Sequence, residues 1–186
     1  KVSNIDIGKP LGWNKELIRI LPAKEQRTTK VDIVVYGGTS AGVMAAHSAA
    51  KMGKTVLLIE PGKHLGGLTS GGLGYTDIGN KYAIGGLALD FYRRLGRHYG
   101  KFEQWIFEPS AAEKTFQWYI QSSGVPVRYQ YRLKDVRKEN NLIKQITIEP
   151  SEGENKDGEE LIEASMFIDC SYEGDLMAKA GVSYAT

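Results

Sequence analysis

An α/β fold with a parallel sheet and helices on both faces is predicted by three features of the sequence. An apolar run, Val31, Ile33, Val34 and Val35, leads into a glycine turn at Gly37 and Gly38; a small-residue helix follows at once; and a second apolar run, Thr55 to Ile59, ends on an acid, Glu60. Runs this short and this uniformly apolar fit strands buried on both sides, and a helix between two such strands is the usual connection of a parallel pair.

The turn and helix carry the first chemical reading. Ser40 is the expected N-cap, Ala41, Ala45, Ala46, Ala49 and Ala50 keep the helix narrow, and Gly53 ends it as a left-handed C-cap. Gly37 permits the tight turn, the helix N-terminus offers N–H groups and a partial positive charge to a pyrophosphate, and Gly42 allows close helix–strand packing. Gly37, Gly38, Thr39, Ser40, Ala41 and Gly42 are therefore the candidate contacts of a dinucleotide in a Rossmann-like FAD/NAD(P)-binding fold. Glu60 can accept hydrogen bonds from both ribose hydroxyls of an adenosine and repels a 2′-phosphate, which favours FAD or NAD over NADP. Thr39 departs from G-x-G-x-x-G, standing where the middle glycine is usual.

Composition narrows the partners. Lys and Arg number 24 against 22 Asp and Glu over 186 residues, so no whole-chain field draws the protein to nucleic acid or an anionic membrane. No apolar run is long enough to span a bilayer, and a signal already removed would leave no trace, so the compartment is left open. One cysteine, Cys170, excludes an internal disulfide framework. His47, His64 and His98 have no metal-ligand spacing, and no metal site is expected. Residues 1–30 read as an arm that docks Trp13, Leu17, Ile18, Ile20 and Leu21 on a domain spanning 31–186. The domain reads as incomplete, because Lys1 is not an initiator methionine and the closing AKAGVSYAT begins a new element.

After Glu60 the chain is rich in glycine, with Gly62, Gly66, Gly67, Gly71, Gly72, Gly74 and Gly79. Leu65, Leu68, Leu73, Tyr75 and Ile78 are expected to anchor it, since a flexible linker would lack large apolar groups. Gly66 and Gly67 would let backbone pass against a flat ring or a phosphate, and Thr69 and Ser70 could donate hydroxyls to it.

Beyond the loop, Leu87, Leu89, Phe91, Tyr92 and Leu95 recur at helical spacing over Gly86 to His98, with Arg93, Arg94 and Arg97 outside. Pro109 precedes a second helix, Ser110 to Gln121, burying Ala112, Phe116, Tyr119 and Ile120. Phe102, Trp105, Phe107 and Trp118 read as core or subunit contacts, the latter implying a homo-oligomer. VPVRYQYRL alternates as a third strand from Val125 to Leu133; Lys134 to Lys138, Leu142 to Glu149 and Glu160 to Ala164 are three short strands; and Met166 to Asp169 is a further buried one. Ser151 to Glu160 is a solvated charged turn, and Asp175 caps or begins a short helix.

VVYGGTSAG, the acid at Glu60 and HLGGLTSGGLGYTD together resemble the FAD-dependent oxidoreductase family, related to the glutathione-reductase-type flavoproteins. A GGT variant of the glycine turn occurs there, so Thr39 fits. The resemblance implies that Gly66, Gly67, Thr69 and Ser70 run beside the pyrophosphate, ribityl chain and flavin; that Leu133 makes a backbone contact to adenine; and that residues of about 134–165 form an antiparallel meander inserted into the main sheet. It places Cys170 and Ser171 at the turn that returns to the pyrophosphate, where the family's Ala-Thr-Gly triplet has become Cys-Ser-Tyr. The function implied is the N-terminal, FAD-binding part of a flavin-dependent oxidoreductase, with a small-molecule substrate, a carbohydrate derivative among the options, and no activity expected of this stretch alone. An NAD-binding domain would leave the loop and meander unexplained. A carbohydrate-active protein is the third reading, since similar members sometimes carry a polysaccharide-lyase label, but no Tyr, His and Arg set is assignable to that chemistry. No side chain is assigned as catalytic: Tyr75 and Asp77 also read as turn residues, and Cys170 as a small residue at a strand end.

Overall fold

The computed structural model describes residues 27–152 and 158–185; of the arm expected over residues 1–30, residues 1–26 lie outside them and 27–30 belong to the first strand. The elements are β1 (Arg27–Tyr36), α1 (Ser40–Lys51), β2 (Val56–Glu60), α2 (Gly86–His98), α3 (Pro109–Ser123), β3 (Val127–Tyr129), β4 (Tyr131–Glu139), β5 (Leu142–Pro150), β6 (Glu160–Asp169) and α4 (Asp175–Lys179), with 3₁₀ turns at Gly67–Thr69 and Lys81–Ala83. One six-stranded sheet runs in the order β3-β2-β1-β6-β5-β4. The pairs β1–β2, β2–β3 and β1–β6 are parallel, and β4–β5 and β5–β6 antiparallel.

Strict alternation along the central strands divides the core in two. Val35, Val56 and Leu58 face α1, α2 and α3, where Val43, Ala46, Phe91, Leu95, Ala112, Phe116 and Tyr119 close the layer. Val34, Tyr36, Leu57 and Ile59 face the other way, against Tyr131, Leu133, Ile146, Ile148 and Ile162 of the meander and Leu176 of α4. β4 is last in the strand order yet lies against β2, so the meander folds back over the face of the sheet opposite α1, α2 and α3, with α4 packed beside it.

Several expected boundaries shift for identifiable reasons. β1 begins at Arg27, four residues early, because Arg27 to Val31 pair with Glu160 to Ala164 of β6. The stretch Val125 to Leu133 is two strands, because Gln130 takes a left-handed φ of 61° and turns the chain from β3 into β4. Glu160 to Ala164 and Met166 to Asp169 are one strand, β6, which serves both meander and parallel sheet. Glu160 leaves the solvated turn altogether: it is 3% exposed, bonds the Thr29 hydroxyl, and pairs with Arg128 Nε at 3.0 Å.

The helices follow their apolar spacing. Gly53, at φ 79°, follows the end of α1 as expected, and Gly124, at φ 68°, ends α3. His47 is buried between α1 and α3, its Nδ1 3.0 Å from the Tyr119 carbonyl. Arg94 is not an outer-face residue. Its guanidinium lies 3.4 Å from the Trp118 ring centroid and pairs at 2.6 Å with Asp90, which also accepts the Tyr119 hydroxyl at 2.6 Å, so it joins α2 to α3. Of the four aromatics expected in a core or contact, Phe107 is buried, Trp105 stacks on Tyr92, and Phe102 and Trp118 are exposed.

Candidate cofactor site

The carboxyl ends of β1, β2 and β6 meet where the chain order reverses, β1 leading to β2 on one side and pairing with β6 on the other; open α/β sheets form ligand crevices at such points. The turn after β1 is shaped by backbone contacts. Gly37 has φ 99°, and a Cβ there would lie 2.7 Å from the carbonyl carbon and oxygen of Cys170; a Cβ on Gly42 would lie 1.9 Å from the Gly37 carbonyl oxygen. The close approach expected at Gly42 is thus with the preceding turn itself.

Thr39, rather than Ser40, is the N-cap of α1. Its Oγ1 accepts from Gly42 N at 3.2 Å and donates to the Cys170 carbonyl at 2.9 Å, so one hydroxyl caps the helix and ties it to the turn after β6. This second bond explains a threonine at the middle position of the glycine pattern. Ser40 and Ala41 occupy the first turn, where backbone N–H groups have no helical acceptor, and both are at least partly open to solvent.

Glu60 ends β2 and turns into the same crevice. Its Oε2 accepts from Gly38 N and its Oε1 from Gly62 N, both at 2.6 Å. Each oxygen has lone-pair capacity left, and two backbone amides fix the carboxylate against rotation. A cavity of about 310 Å³ is lined by Gly37, Thr39, Glu60, His64, Gly67 and Tyr172, among others. A second, apolar cavity of about 370 Å³ is lined by Ser40, Ala41, Met44, Thr69, Leu87 and Tyr92, among others. The start of α1 and the Gly67–Thr69 turn contribute to both cavities, Thr39 and Gly67 to the first, Ser40, Ala41 and Thr69 to the second.

The glycine loop joins this site differently from the expectation. Gly66 N donates to the Gly38 carbonyl at 2.8 Å, which holds the loop beside the nucleotide turn. The flat ring against Gly66 is the protein's own: a Cβ there would lie 2.3 Å from Phe116 Cδ2, and one on Gly67 would lie 2.2 Å from Tyr172 Oη. The Ser70 hydroxyl is spent on the Leu65 and Gly67 carbonyls of its own loop. Only Leu65 of the expected anchors is buried; Leu68, Leu73, Tyr75 and Ile78 are 54%, 64%, 72% and 42% exposed. Backbone pairing does the anchoring instead, with Phe107 N on the Gly74 carbonyl and Thr76 N on the Trp105 carbonyl.

Leu133 stands apart from this group. It lies on the meander face, buried, its N–H donating to the Tyr36 hydroxyl at 3.1 Å, and it lines neither cavity. Cys170 is half-buried at the exit of β6; its N–H donates to the Tyr36 carbonyl at 2.7 Å, and burial, then the Asp169 charge, push its thiol pKa up. That environment suits a packing residue, not an activated thiol. His64 of the loop meets Glu113 Oε1 of α3 at 2.9 Å. α4 begins at Asp175, as expected.

Two residues of the crevice escaped the sequence reading. Asp169 accepts from Ser171 N at 2.9 Å and Met177 N at 2.8 Å and so shapes the turn after β6. Tyr172 projects from that turn onto the glycine loop; the signal was its place at the glycine of the family's small-residue triplet. Among the described residues no group of His, Cys, Asp and Glu could hold a metal ion, and no helix is long and apolar enough to cross a membrane.

Comparison with known structures finds the same fold in L-proline dehydrogenase from P. horikoshii (16% identity, TM-score 0.61), in a geranylgeranyl bacteriochlorophyll reductase-like protein from Thermoplasma acidophilum (20%, 0.60) and in the flavin-dependent brominase Bmp2 (17%, 0.57). These matches cover 85%, 84% and 83% of this chain but only 57%, 43% and 41% of the respective proteins. The chain therefore spans about half the length of the structures it resembles. A search among curated proteins finds no match. The family model for FAD dependent oxidoreductases matches residues 32–186, most of the sequence and every element from the glycine turn to α4, and the chain belongs to that family, whose cofactor is FAD.

Proposed function

We propose that this domain holds the adenosine diphosphate part of FAD between Glu60 and the first turn of α1, and so presents the flavin to a small-molecule substrate. The observation that carries the reading is the Glu60 carboxylate, held by Gly38 N and Gly62 N at 2.6 Å on the wall of the crevice that α1 opens into. An acceptor fixed in advance loses little freedom on binding, and its charge disfavours a 2′-phosphate.

The residues present fit FAD. The Gly37 backbone lies where any Cβ would strike Cys170, the Ser40 and Ala41 amides lack helical acceptors, and among the described residues no lysine or arginine lines the cavity beside Glu60. A pyrophosphate there would rely on backbone N–H groups and the helix dipole. The apolar cavity beside Ser40, Ala41 and Thr69 suits the ring end of the cofactor. When bound, FAD supplies hydride and electron transfer at its isoalloxazine ring. The chain's own residues bind and orient: Glu60 takes the ribose hydroxyls, Gly37 to Gly42 take the pyrophosphate, and Thr69 with Tyr92 borders the ring cavity.

We infer that substrate-contacting residues come from parts of a longer protein, and that the 186 residues alone do not turn over substrate. The exposed Leu68, Leu73, Tyr75 and Ile78 of the glycine loop, and a span of about half the neighbours' length, support this. The test is to purify the full-length protein, record its visible spectrum and identify the released cofactor by mass. A yellow protein yielding FAD is expected; a colourless protein that binds NAD would overturn the reading.

A further inference from the structure

We propose that Tyr172 is a positioning residue of the crevice: its hydroxyl clasps the Gly67–Thr69 turn to the turn after β6 and so retains the cofactor. The inference rests on the FAD reading above, and three observations carry it. Tyr172 Oη accepts from Leu68 N at 2.7 Å, a bond between residues 104 apart in sequence. Leu68 is the second residue of a 3₁₀ turn, where an amide has no acceptor within the turn, so the hydroxyl satisfies a donor otherwise left to water. The ring fits only over a glycine, since a Cβ on Gly67 would lie 2.2 Å from Oη and 3.0 Å from Cζ.

The position of this bond gives it a role. The crevice has two walls, the glycine loop and the turn after β6. At the floor they are joined through the nucleotide turn, the loop by Gly66 N to the Gly38 carbonyl and the β6 turn by the Thr39 hydroxyl to the Cys170 carbonyl. Tyr172 reaches directly from one wall to the other, and it lines the same cavity as Gly37 and Glu60. Its own base is firm: Asp169 accepts from Ser171 N and Oγ, and Ser171 Oγ accepts from Asp175 N. Yet Tyr172 is 60% exposed, so little hydrophobic burial holds the ring in place. An exposed tyrosine fixed by one hydroxyl and one glycine fits a clasp better than a core contact.

Tyr172→Phe removes the hydroxyl alone and is the diagnostic variant; Gly67→Ala obstructs the ring from the other side and also strains the turn, since Gly67 has φ 55°. Hydrogen exchange on the flavin-stripped protein reads the clasp without cofactor: exchange at Leu68 is expected to rise about fivefold in Tyr172→Phe, as loss of one ordinary hydrogen bond implies, with the β1 amides unchanged. In the flavin-loaded protein, FAD release followed by flavin fluorescence is expected to quicken by a similar factor in Tyr172→Phe and by at least that factor in Gly67→Ala, with binding stoichiometry unchanged. Unaltered Leu68 exchange overturns the clasp, and faster exchange with unaltered FAD release overturns its role in retention. Failure of the wild-type protein to bind FAD contradicts the cofactor reading itself, a result separable from the exchange measurement.

Discussion

The glycines after β1 and those after β2 look alike in sequence but meet different obstacles. Gly37 and Gly42 are pressed by main chain, the Cys170 carbonyl and the Gly37 carbonyl, neither of which has a rotamer to change. Gly66 and Gly67 are pressed by rings, Phe116 and Tyr172, which can in principle move, although the two glycines' left-handed φ of 103° and 55° strains any larger residue there as well. The first pair fixes the geometry of the nucleotide turn; the second couples the glycine loop to whatever its rings touch.

The largest expected effect comes from Gly42→Ala. A methyl placed 1.9 Å from the Gly37 oxygen has to drive α1 off the turn, and a cost of about 4 kcal/mol or more, or failure to fold, should appear in urea denaturation. Gly66→Ala should cost less, about 2–3 kcal/mol, because Phe116 is fully buried, stacked on Phe91 at 4.6 Å, and yields only with strain, and because Gly66 holds a left-handed φ of 103°. Combining it with Phe116→Leu should recover part of that loss, whereas no side-chain change should rescue Gly42→Ala. Full additivity of Gly66→Ala and Phe116→Leu would erase the distinction between the two kinds of glycine.

How much of this was legible in the sequence follows the same division. The β1-turn-α1-β2 unit was readable because local requirements, apolar runs, a glycine turn and a terminal acid, coincide with tertiary ones. α2 matched its expected span, Gly86 to His98, for the same reason. What could not be read depended on partners distant in sequence. Thr39 outcompetes Ser40 as the cap because its hydroxyl also reaches Cys170, 131 residues on. Glu160 looked solvated within a charged run, yet Arg128 and Thr29 enclose it once the meander folds over the sheet. Leu68, Leu73, Tyr75 and Ile78 suggested anchors by their apolarity, but main-chain pairing holds the loop and leaves them exposed. The break at Gln130 had no signal, since glutamine seldom adopts positive φ.

Smaller effects probe the helical face that supports the loop. The Tyr119 and Arg94 hydrogen bonds outweigh the desolvation that opposes them and hold the Asp90 carboxyl below its ordinary value of 3.8. A depressed carboxyl contributes stability above its unfolded value and loses it as pH falls through the folded one. Tyr119→Phe should therefore destabilise at neutral pH by no more than about 1 kcal/mol, Asp90 keeping some access to water, and the difference should shrink below pH 3.8 in thermal melts. A difference that grows in acid would contradict this sign. The smallest expected effect is at Cys170. Its burial-raised thiol should alkylate more slowly than a free cysteine at neutral pH and gain speed only above its ordinary value of 9.0; thiol titration against a model peptide checks this.

The central claim is that Glu60 grips the adenosine end of the cofactor, and it is tested most directly by measuring FAD and FMN affinities of wild type and Glu60→Ala side by side. FMN carries the flavin and ribityl phosphate but no adenosine. The expected result is a loss of about tenfold or more for FAD, the scale of a charged hydrogen-bond acceptor removed, with FMN affinity unchanged. Equal losses for both ligands, or an unchanged FAD affinity, would contradict it.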